Sequence, residues 1–189
     1  MVLYNYSFYE YCHLSDEERL EYDTLTGAAS IFKESVDIFK VGDFTELTFG
    51  VLKDVQQIIC SKNGITYKDL FEVFTALTGK TENELQQMKM KDVINFRNYV
   101  IDEIKRVNLV ESITLSHHTT VEEEQAGIEN FDKLGIYMQF RSLTKGDVTK
   151  FEQVRNIKYN ICLLELIAQK ESADYNERLS EIYKRKNPN

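Results

Sequence analysis

Proline occurs once in this chain of 189 residues, at Pro188, next to the C-terminus. Proline lacks the backbone N–H and its ring clashes with the preceding turn, so it ends helices more forcibly than any other residue. Before position 188, helices can therefore be ended only by glycine and by polar turns. Together with apolar residues at helical spacing, this predicts a mainly α fold.

Signals for the starts of helices recur along the chain. A Ser or Thr three residues before a Glu lets each side chain bond the backbone N–H of the other residue at a helix N-terminus. Asp43 with Glu46 is a weaker version of this spacing, and Gly64, Gly79 and Gly146 stand where helices should stop. The pairs with the full pattern are Ser15 with Glu18, Thr81 with Glu84, Thr120 with Glu123, and Thr149 with Glu152.

Apolar residues follow these signals in stripes, which predict a compact bundle of about six helices. The first three stripes lie in residues 47–59, 67–77 and 93–107, a fourth begins at Phe131, and a last short one runs from Tyr175 to Ile182. The fifth stripe is wide enough to indicate burial on two sides. It comprises Val154, Ile157, Ile161, Leu164 and Ala168, flanked by Cys162, Leu163 and Ile167.

Two stretches alternate with a period of two, which suits a half-buried strand. At the N-terminus, Tyr4, Tyr6 and Phe8 alternate with Asn5, Ser7 and Tyr9. Within residues 112–120, Ile113 and Leu115 alternate with hydroxyl residues. Either stretch can form a small strand, and the two together can pair as a two-stranded element beside the helices.

Charge and domain organisation go together in this chain. Its net charge is −8, and residues 1–60 carry eleven carboxylates against four basic side chains. We expect one helical domain over residues 1–189, with an acidic, Tyr-rich appendage (1–41), a helical segment (42–106) and a C-terminal helical segment (107–189). The acidity would repel phosphate backbones, so we expect no sequence-specific nucleic-acid binding. The basic tail Lys184, Arg185 and Lys186 suits the C-terminus of a helix.

The chain carries no sequence signal for a membrane or a secreted location. No apolar run approaches the roughly 20 residues that span a bilayer, and the N-terminus lacks a basic region followed by an apolar one. Cys12, Cys60 and Cys162 are too few and too widely spaced for a disulfide framework. We therefore expect a soluble, intracellular protein without membrane contact.

Residues for metal binding and catalysis are sparse. Cys12-His13 and His117-His118 are adjacent pairs, whereas zinc ligands on a helix stand three or four residues apart. These four residues could bind one metal ion together only if the N-terminal strand lay next to the loop that carries His117 and His118. No phosphate-binding loop or nucleophile elbow occurs, and the consecutive carboxylates of residues 122–124 point in different directions on a helix. We expect no metal, no cofactor and no catalytic site.

The aromatic content is the remaining unusual feature, with eleven Tyr and eleven Phe. Tyrosine combines apolar area with a polar tip and is enriched at protein interfaces. The alternative, that these rings cover the chain's own helices, stays open at this point. The residues that we assign to a protein interface are Tyr4, Tyr6, Tyr9, Tyr11, Phe131, Tyr137 and Phe140.

Three segments carry a resemblance to a known family. Residues 42–50 read Gly-Asp-Phe-Thr-Glu-Leu-Thr-Phe-Gly, and residues 69–79 read Asp-Leu-Phe-Glu-Val-Phe-Thr-Ala-Leu-Thr-Gly. Glu84-Leu85 follows, and then Met88 to Asp92 and Val93. The pattern resembles that of tail-assembly chaperones of tailed bacteriophages, in which a helix ending in Leu-Thr-Gly precedes a Glu-Leu turn and an Asp that opens the next helix. The resemblance covers residues 42–106.

The resemblance implies a phage tail-morphogenesis protein, and the extra residues before and after it set this chain apart from the simple chaperones. The leading hypothesis is a non-catalytic structural subunit of a virion, at the head-tail connector or tail, assembled in the host cytoplasm. It would form an oligomeric ring and contact other virion proteins. The alternative is a non-virion chaperone that binds the tape-measure or tail tube protein, and a small enzyme or metal protein is a third class.

Overall fold

The chain is mainly α, as predicted. The structure, a computed structural model, describes residues 6–15, 17–20, 41, 43–61, 66–116 and 119–186. Residues 17–20 are helical, and two short 3₁₀ helices cover Phe44–Glu46 and Val148–Lys150. The α-helices are α1 (Phe8–Cys12), α2 (Phe49–Ile59), α3 (Tyr67–Thr78), α4 (Glu82–Gln86), α5 (Met90–Thr114), α6 (Val121–Gln125), α7 (Glu129–Asp132), α8 (Ile136–Leu143), α9 (Phe151–Arg155) and α10 (Tyr159–Lys186).

The chain divides into two compact units. Unit 1 comprises Met1–Phe44 and Asp54–Arg106, and unit 2 comprises Thr45–Lys53 and Val107–Asn189. The division falls inside α2 and α5, so it differs from a simple split of the sequence into consecutive halves. The single domain expected from the sequence stays a prediction.

Unit 1 has an aromatic core on one face of α5. Val93, Phe96, Val100 and Ile104 are all at most 1% exposed, which confirms the helical stripe predicted there. The Phe96 ring meets Phe74 of α3 edge-on, with ring centroids 5.2 Å apart. Such edge-to-face pairs add roughly 0.5–1.5 kcal/mol to the area that they bury.

A backbone bridge in unit 1 fixes where α1 and α5 begin. The N–H of Phe8 donates to the carbonyl of Met88 (2.9 Å), and the N–H of Met90 donates to the carbonyl of Tyr6 (2.8 Å). Ser7 and Lys89 thus form an isolated antiparallel bridge, and the first residue of each helix has a partner for an N–H that the helix itself cannot satisfy.

Unit 2 repeats this arrangement at the starts of α2 and α10. The N–H of Phe49 donates to the carbonyl of Ile157 (2.7 Å), and the N–H of Tyr159 donates to the carbonyl of Leu47 (2.8 Å). Thr48 and Lys158 form the corresponding isolated bridge. The core of this unit forms around the rings that follow the bridge.

Most of the predicted helix starts are confirmed. The backbone N–H of Ser15 donates to Glu18 (2.9 Å), that of Thr81 to Glu84 (2.8 Å) and that of Thr120 to Glu123 (2.9 Å). Two further capping boxes that the sequence did not lead us to expect, Ser7 with Glu10 and Thr66 with Asp69, open α1 and α3.

The predicted start at Thr149 with Glu152 is wrong. The N–H of Thr149 donates instead to Asp147 Oδ1 (3.1 Å), so Asp147 caps a 3₁₀ turn and α9 begins only at Phe151. The aspartate two residues earlier competes for the same donor, because a short carboxylate can bond the backbone two residues on.

The predicted strand pairing is also wrong for the residues that the structure describes. Residues 112–114 complete α5, where the hydroxyl of Thr114 donates to the carbonyl of Val110 (2.8 Å), and Phe8 begins α1. Hydroxyl side chains inside a helix can bond the carbonyl one turn back, so their alternation there does not indicate a strand. Tyr4 lies outside the described residues.

Glycine ends two helices as predicted. Gly79 follows α3 with φ of 68°, and its N–H donates to the carbonyl of Thr75 (2.9 Å). Gly146 has φ of 84°, and its N–H donates to the carbonyl of Arg141 (2.8 Å) after α8. Both use the left-handed conformation that only glycine adopts without strain. Gly64 lies outside the described residues.

We predict that Gly50→Ala destabilises the protein, although alanine normally stabilises a helix interior by about 1 kcal/mol relative to glycine. An added Cβ would lie 2.9 Å from Arg155 Cβ and 3.1 Å from the Arg155 carbonyl oxygen. Overpacking of this kind costs roughly 1–3 kcal/mol, so a net loss is expected in urea unfolding. A stabilised variant would show that α9 moves away without cost.

A second prediction concerns the capping box of α3. Hydrogen bonds from Thr66, first from its hydroxyl and then from its backbone, lower the pKa of Asp69 below its ordinary value of 3.8. The ionised carboxylate therefore stabilises the fold above pH 3.8, and this contribution is lost as the pH falls through the lower folded pKa. In an NMR titration, Thr66→Ala should raise the Asp69 pKa, whereas Thr75→Ala should leave it unchanged.

Candidate interaction surface

Three of the N-terminal tyrosines assigned to an interface lie in the described part of unit 1. Tyr6 and Tyr11 are half-buried, whereas Tyr9 is 55% exposed. The Tyr9 ring lies against the ring of His13, with centroids 4.2 Å apart, and its carbonyl lies 2.8 Å from His13 Nδ1. Tyr9 therefore has an exposed ring whose orientation is fixed by its contact with His13. Tyr4 lies outside the described residues.

The aromatic residues assigned to an interface in unit 2 divide into exposed and buried rings. Phe131 is 55% exposed and Tyr137 is 41% exposed. Phe140 is only 6% exposed, because its ring packs against Phe49 (5.1 Å between centroids) and Phe151 (5.5 Å). Phe140 therefore stabilises the unit and offers no surface to a partner.

Phe131 forms one wall of an open groove in unit 2 with a volume of about 710 Å³. The polar lining includes Ser142, whose hydroxyl donates to Gln169 Oε1, and Gln169 Nε2 in turn donates to Glu165 Oε1 (2.8 Å). Lys170 is the charged residue of the lining. The apolar walls are Leu115, Phe131, Met138 and Leu166. Such a groove can accept apolar side chains of another segment.

A buried ion pair lies in the core of unit 2. Lys53 is 1% exposed, and its Nζ donates to Glu111 Oε1 at 2.5 Å. The hydroxyl of Tyr159 donates to the same oxygen at 2.8 Å, and the ammonium lies 5.5 Å from the ring of Phe49 and 5.7 Å from that of Tyr159. Hydrogen bonds and aromatic faces thus compensate the desolvation of the charges.

The C-terminal helix α10 buries one face and exposes the opposite one. Tyr159 and Cys162 are each 2% exposed, whereas Ile161 is 55% and Leu164 is 66% exposed. The fifth stripe predicted from the sequence therefore meets the core only in part: Val154 and the flanking Cys162 are buried, whereas Ile161 and Leu164 lie on the solvent side. At 100° per residue, one arc of about 60° carries six apolar residues that we call the α10 stripe. They are Ile161, Leu164, Ala168, Tyr175, Leu179 and Ile182.

Metal binding and nucleophilic chemistry depend on His, Cys, Asp and Glu side chains. Among the described residues, no cluster of three or more His, Cys, Asp or Glu side chains could hold a metal ion. His117 and His118 lie outside them. Burial raises the pKa of the Cys162 thiol to about 11, so this cysteine stays protonated at neutral pH and is a poor nucleophile.

No known protein family, no curated protein and no solved structure matches this chain. Within the part of the chain that the structure describes, no helix has both the length and the apolar character needed to cross a membrane.

We predict that the losses of stability caused by substituting Lys53 and Glu111 are strongly non-additive. Lys53→Met and Glu111→Gln should each cost about 3 kcal/mol in urea unfolding, because each removes one charge of a buried pair. The double variant should recover most of that loss, since neither charge remains and the glutamine amide can still accept from Tyr159. Additive losses would contradict this account, and circular dichroism would confirm that each variant is folded.

Proposed function

We propose that this chain is a non-catalytic structural subunit of a tailed-phage virion, at the head-tail connector or tail, and acts through protein contacts in an oligomeric ring. The single observation that supports contact-based function best is the α10 stripe. Leu164 and Tyr175, 66% and 57% exposed, lie on a face that a lone chain leaves in water. The phage setting comes from the resemblance of residues 42–106.

Exposed aromatic and apolar side chains elsewhere in unit 2 support the same proposal. Phe131, Leu134 and Tyr137 are 55%, 45% and 41% exposed and lie close together in the sequence. Aromatic residues at such positions are enriched in protein interfaces because they bury a large area at a low cost in side-chain entropy. A ring needs two different faces on each subunit, and unit 2 carries both an apolar helix face and a groove.

The alternative is a tail-assembly chaperone, which would bind the tape-measure or tail tube protein and then leave. The groove favours this alternative, because a volume of about 710 Å³ with apolar walls suits a single segment of another chain. In that case the groove would be occupied during assembly only, and the protein would be missing from finished particles.

Mass spectrometry of purified virions separates the two functions. A structural subunit should be present in stoichiometric amounts in particles from cells that produce the chain. A chaperone should be present in the cell lysate and missing from the particles.

A second measurement tests whether contacts are made at all. Light scattering on the purified chain, alone and mixed with connector or tail proteins of the same phage, should detect oligomers or defined complexes. A chain that is present in neither particles nor complexes would overturn both functions.

A further inference from the structure

The side of α10 that meets the core of unit 2 continues beyond that core. Tyr159 and Cys162 are buried, and Leu166, Lys170 and Asp174 follow at intervals of four residues, so all five lie on one side of the helix. Leu166 and Lys170 line the groove of about 710 Å³. Lys170 and Asp174 line a second cleft of about 490 Å³. The inward side of α10 thus borders open volume beyond the core.

The groove and the cleft share Lys170 but differ in chemistry. The groove has apolar walls, whereas the cleft is lined by polar and charged side chains. The Lys170 ammonium donates to Asp174 Oδ2 (2.8 Å), so these two charges compensate each other. The other charged residues of the cleft are Glu177, Arg178 and Glu181. Two carboxylates therefore remain against one guanidinium, in a chain whose net charge is −8.

Glu177 is the carboxylate that a basic partner would meet. It forms no ion pair among the described residues, whereas Glu181 lies 3.6 Å from Arg185. Leu166 and Glu177 are 11 residues apart in the sequence, which corresponds to about 17 Å along α10. About five residues of extended chain span the same distance. A segment with an apolar side chain in the groove can therefore reach Glu177 with a basic side chain about five residues away.

The groove also contains an amide oxygen without a partner. Gln139 lines the groove, and its Oε1 is buried with no hydrogen-bond partner among the described residues. Leaving a buried acceptor unpaired costs free energy, so a donor on a bound segment would stabilise the site once the Gln139 side chain turns toward it. A peptide carries N–H donors along its backbone, whereas a hydrocarbon chain carries none. The groove therefore suits a peptide better than a lipid tail.

We propose that the groove and the cleft form one binding site for an extended segment of another protein. The segment inserts an apolar side chain beside Phe131 and Leu166 and places a basic side chain at Glu177. This inference rests on the proposed function, in which the chain acts through protein contacts, and it suits a structural subunit and a chaperone alike. The site lies on the side of α10 opposite the α10 stripe, which stays open to a different partner.

Fluorescence anisotropy with the full chain and labelled synthetic peptides tests the partner chemistry. The probe carries Leu-Leu and Lys-Lys separated by four Gly or Ser residues, and it is made in both chain directions. At least one direction should bind saturably below about 1 mM. Control peptides with Glu in place of Lys, or Ser in place of Leu, should bind about tenfold more weakly. Failure of both probes to bind, or equal binding of probes and controls, would overturn the proposal.

A matched pair of charge variants locates the basic end of the probe. Glu177→Lys and Glu171→Lys change the net charge equally, but only Glu177 lines the cleft. Charges more than about 8 Å apart are largely screened at physiological salt. Glu177→Lys should therefore weaken the probe about tenfold, and Glu171→Lys should have little effect. Equal effects of the two variants would show non-specific attraction and contradict the site.

A second pair locates the apolar end. Phe131 and Tyr183 are 55% and 58% exposed, but only Phe131 lines the groove. Phe131→Ala should weaken the probe about tenfold and Tyr183→Ala should not, with circular dichroism to check that both variants are folded. Equal binding by these two variants would place the apolar contact elsewhere. A chain that is found in particles or complexes but does not bind the probe would overturn this site and leave the proposed function standing.

Discussion

The starts of the long helices depend on two backbone bridges, and the cores of both units are built around them. In each unit, a bridged residue precedes a helix that begins with phenylalanine, Phe8 or Phe49, and its partner is a lysine, Lys89 or Lys158, that precedes a long helix. A short helix with a buried apolar residue, Leu85 or Val154, comes just before each lysine. One packing solution thus occurs twice in the chain.

The bridge in unit 2 determines which side of α10 meets the core. It places Tyr159 at the first position of the helix, where its hydroxyl reaches Glu111 beside the buried Lys53. With Tyr159 and Cys162 turned inward, the 3.6-residue period turns Ile161 and Leu164 outward. The hydrogen bond from Tyr159 to Glu111 in the core and the exposed apolar face of α10 therefore have the same geometric cause.

Local signals in the sequence predicted local structure well. Ser15 with Glu18 and the stop at Gly79 were predictable because each depends on residues within four positions. The start at Thr149 failed because Asp147 competes for the same N–H. Lys53 was not predictable as a core residue, because its partner Glu111 is 58 residues away and a lysine on the face opposite the predicted apolar stripe gives no sign of burial. Periodicity located the apolar residues of α10, but it could not say which of two apolar faces would meet the core.

The sequence indicated that the fifth stripe would be buried on two sides, yet the core of unit 2 covers only one of them. Ile161 and Leu179 are 18 residues apart, as are Leu164 and Ile182, and 18 residues make five full turns of an α-helix. The stripe therefore runs straight along α10, whereas a heptad repeat would drift and wind two helices around each other. Because Tyr159 and Cys162 face the core, the bridge that starts α10 also leaves this straight apolar face in contact with water.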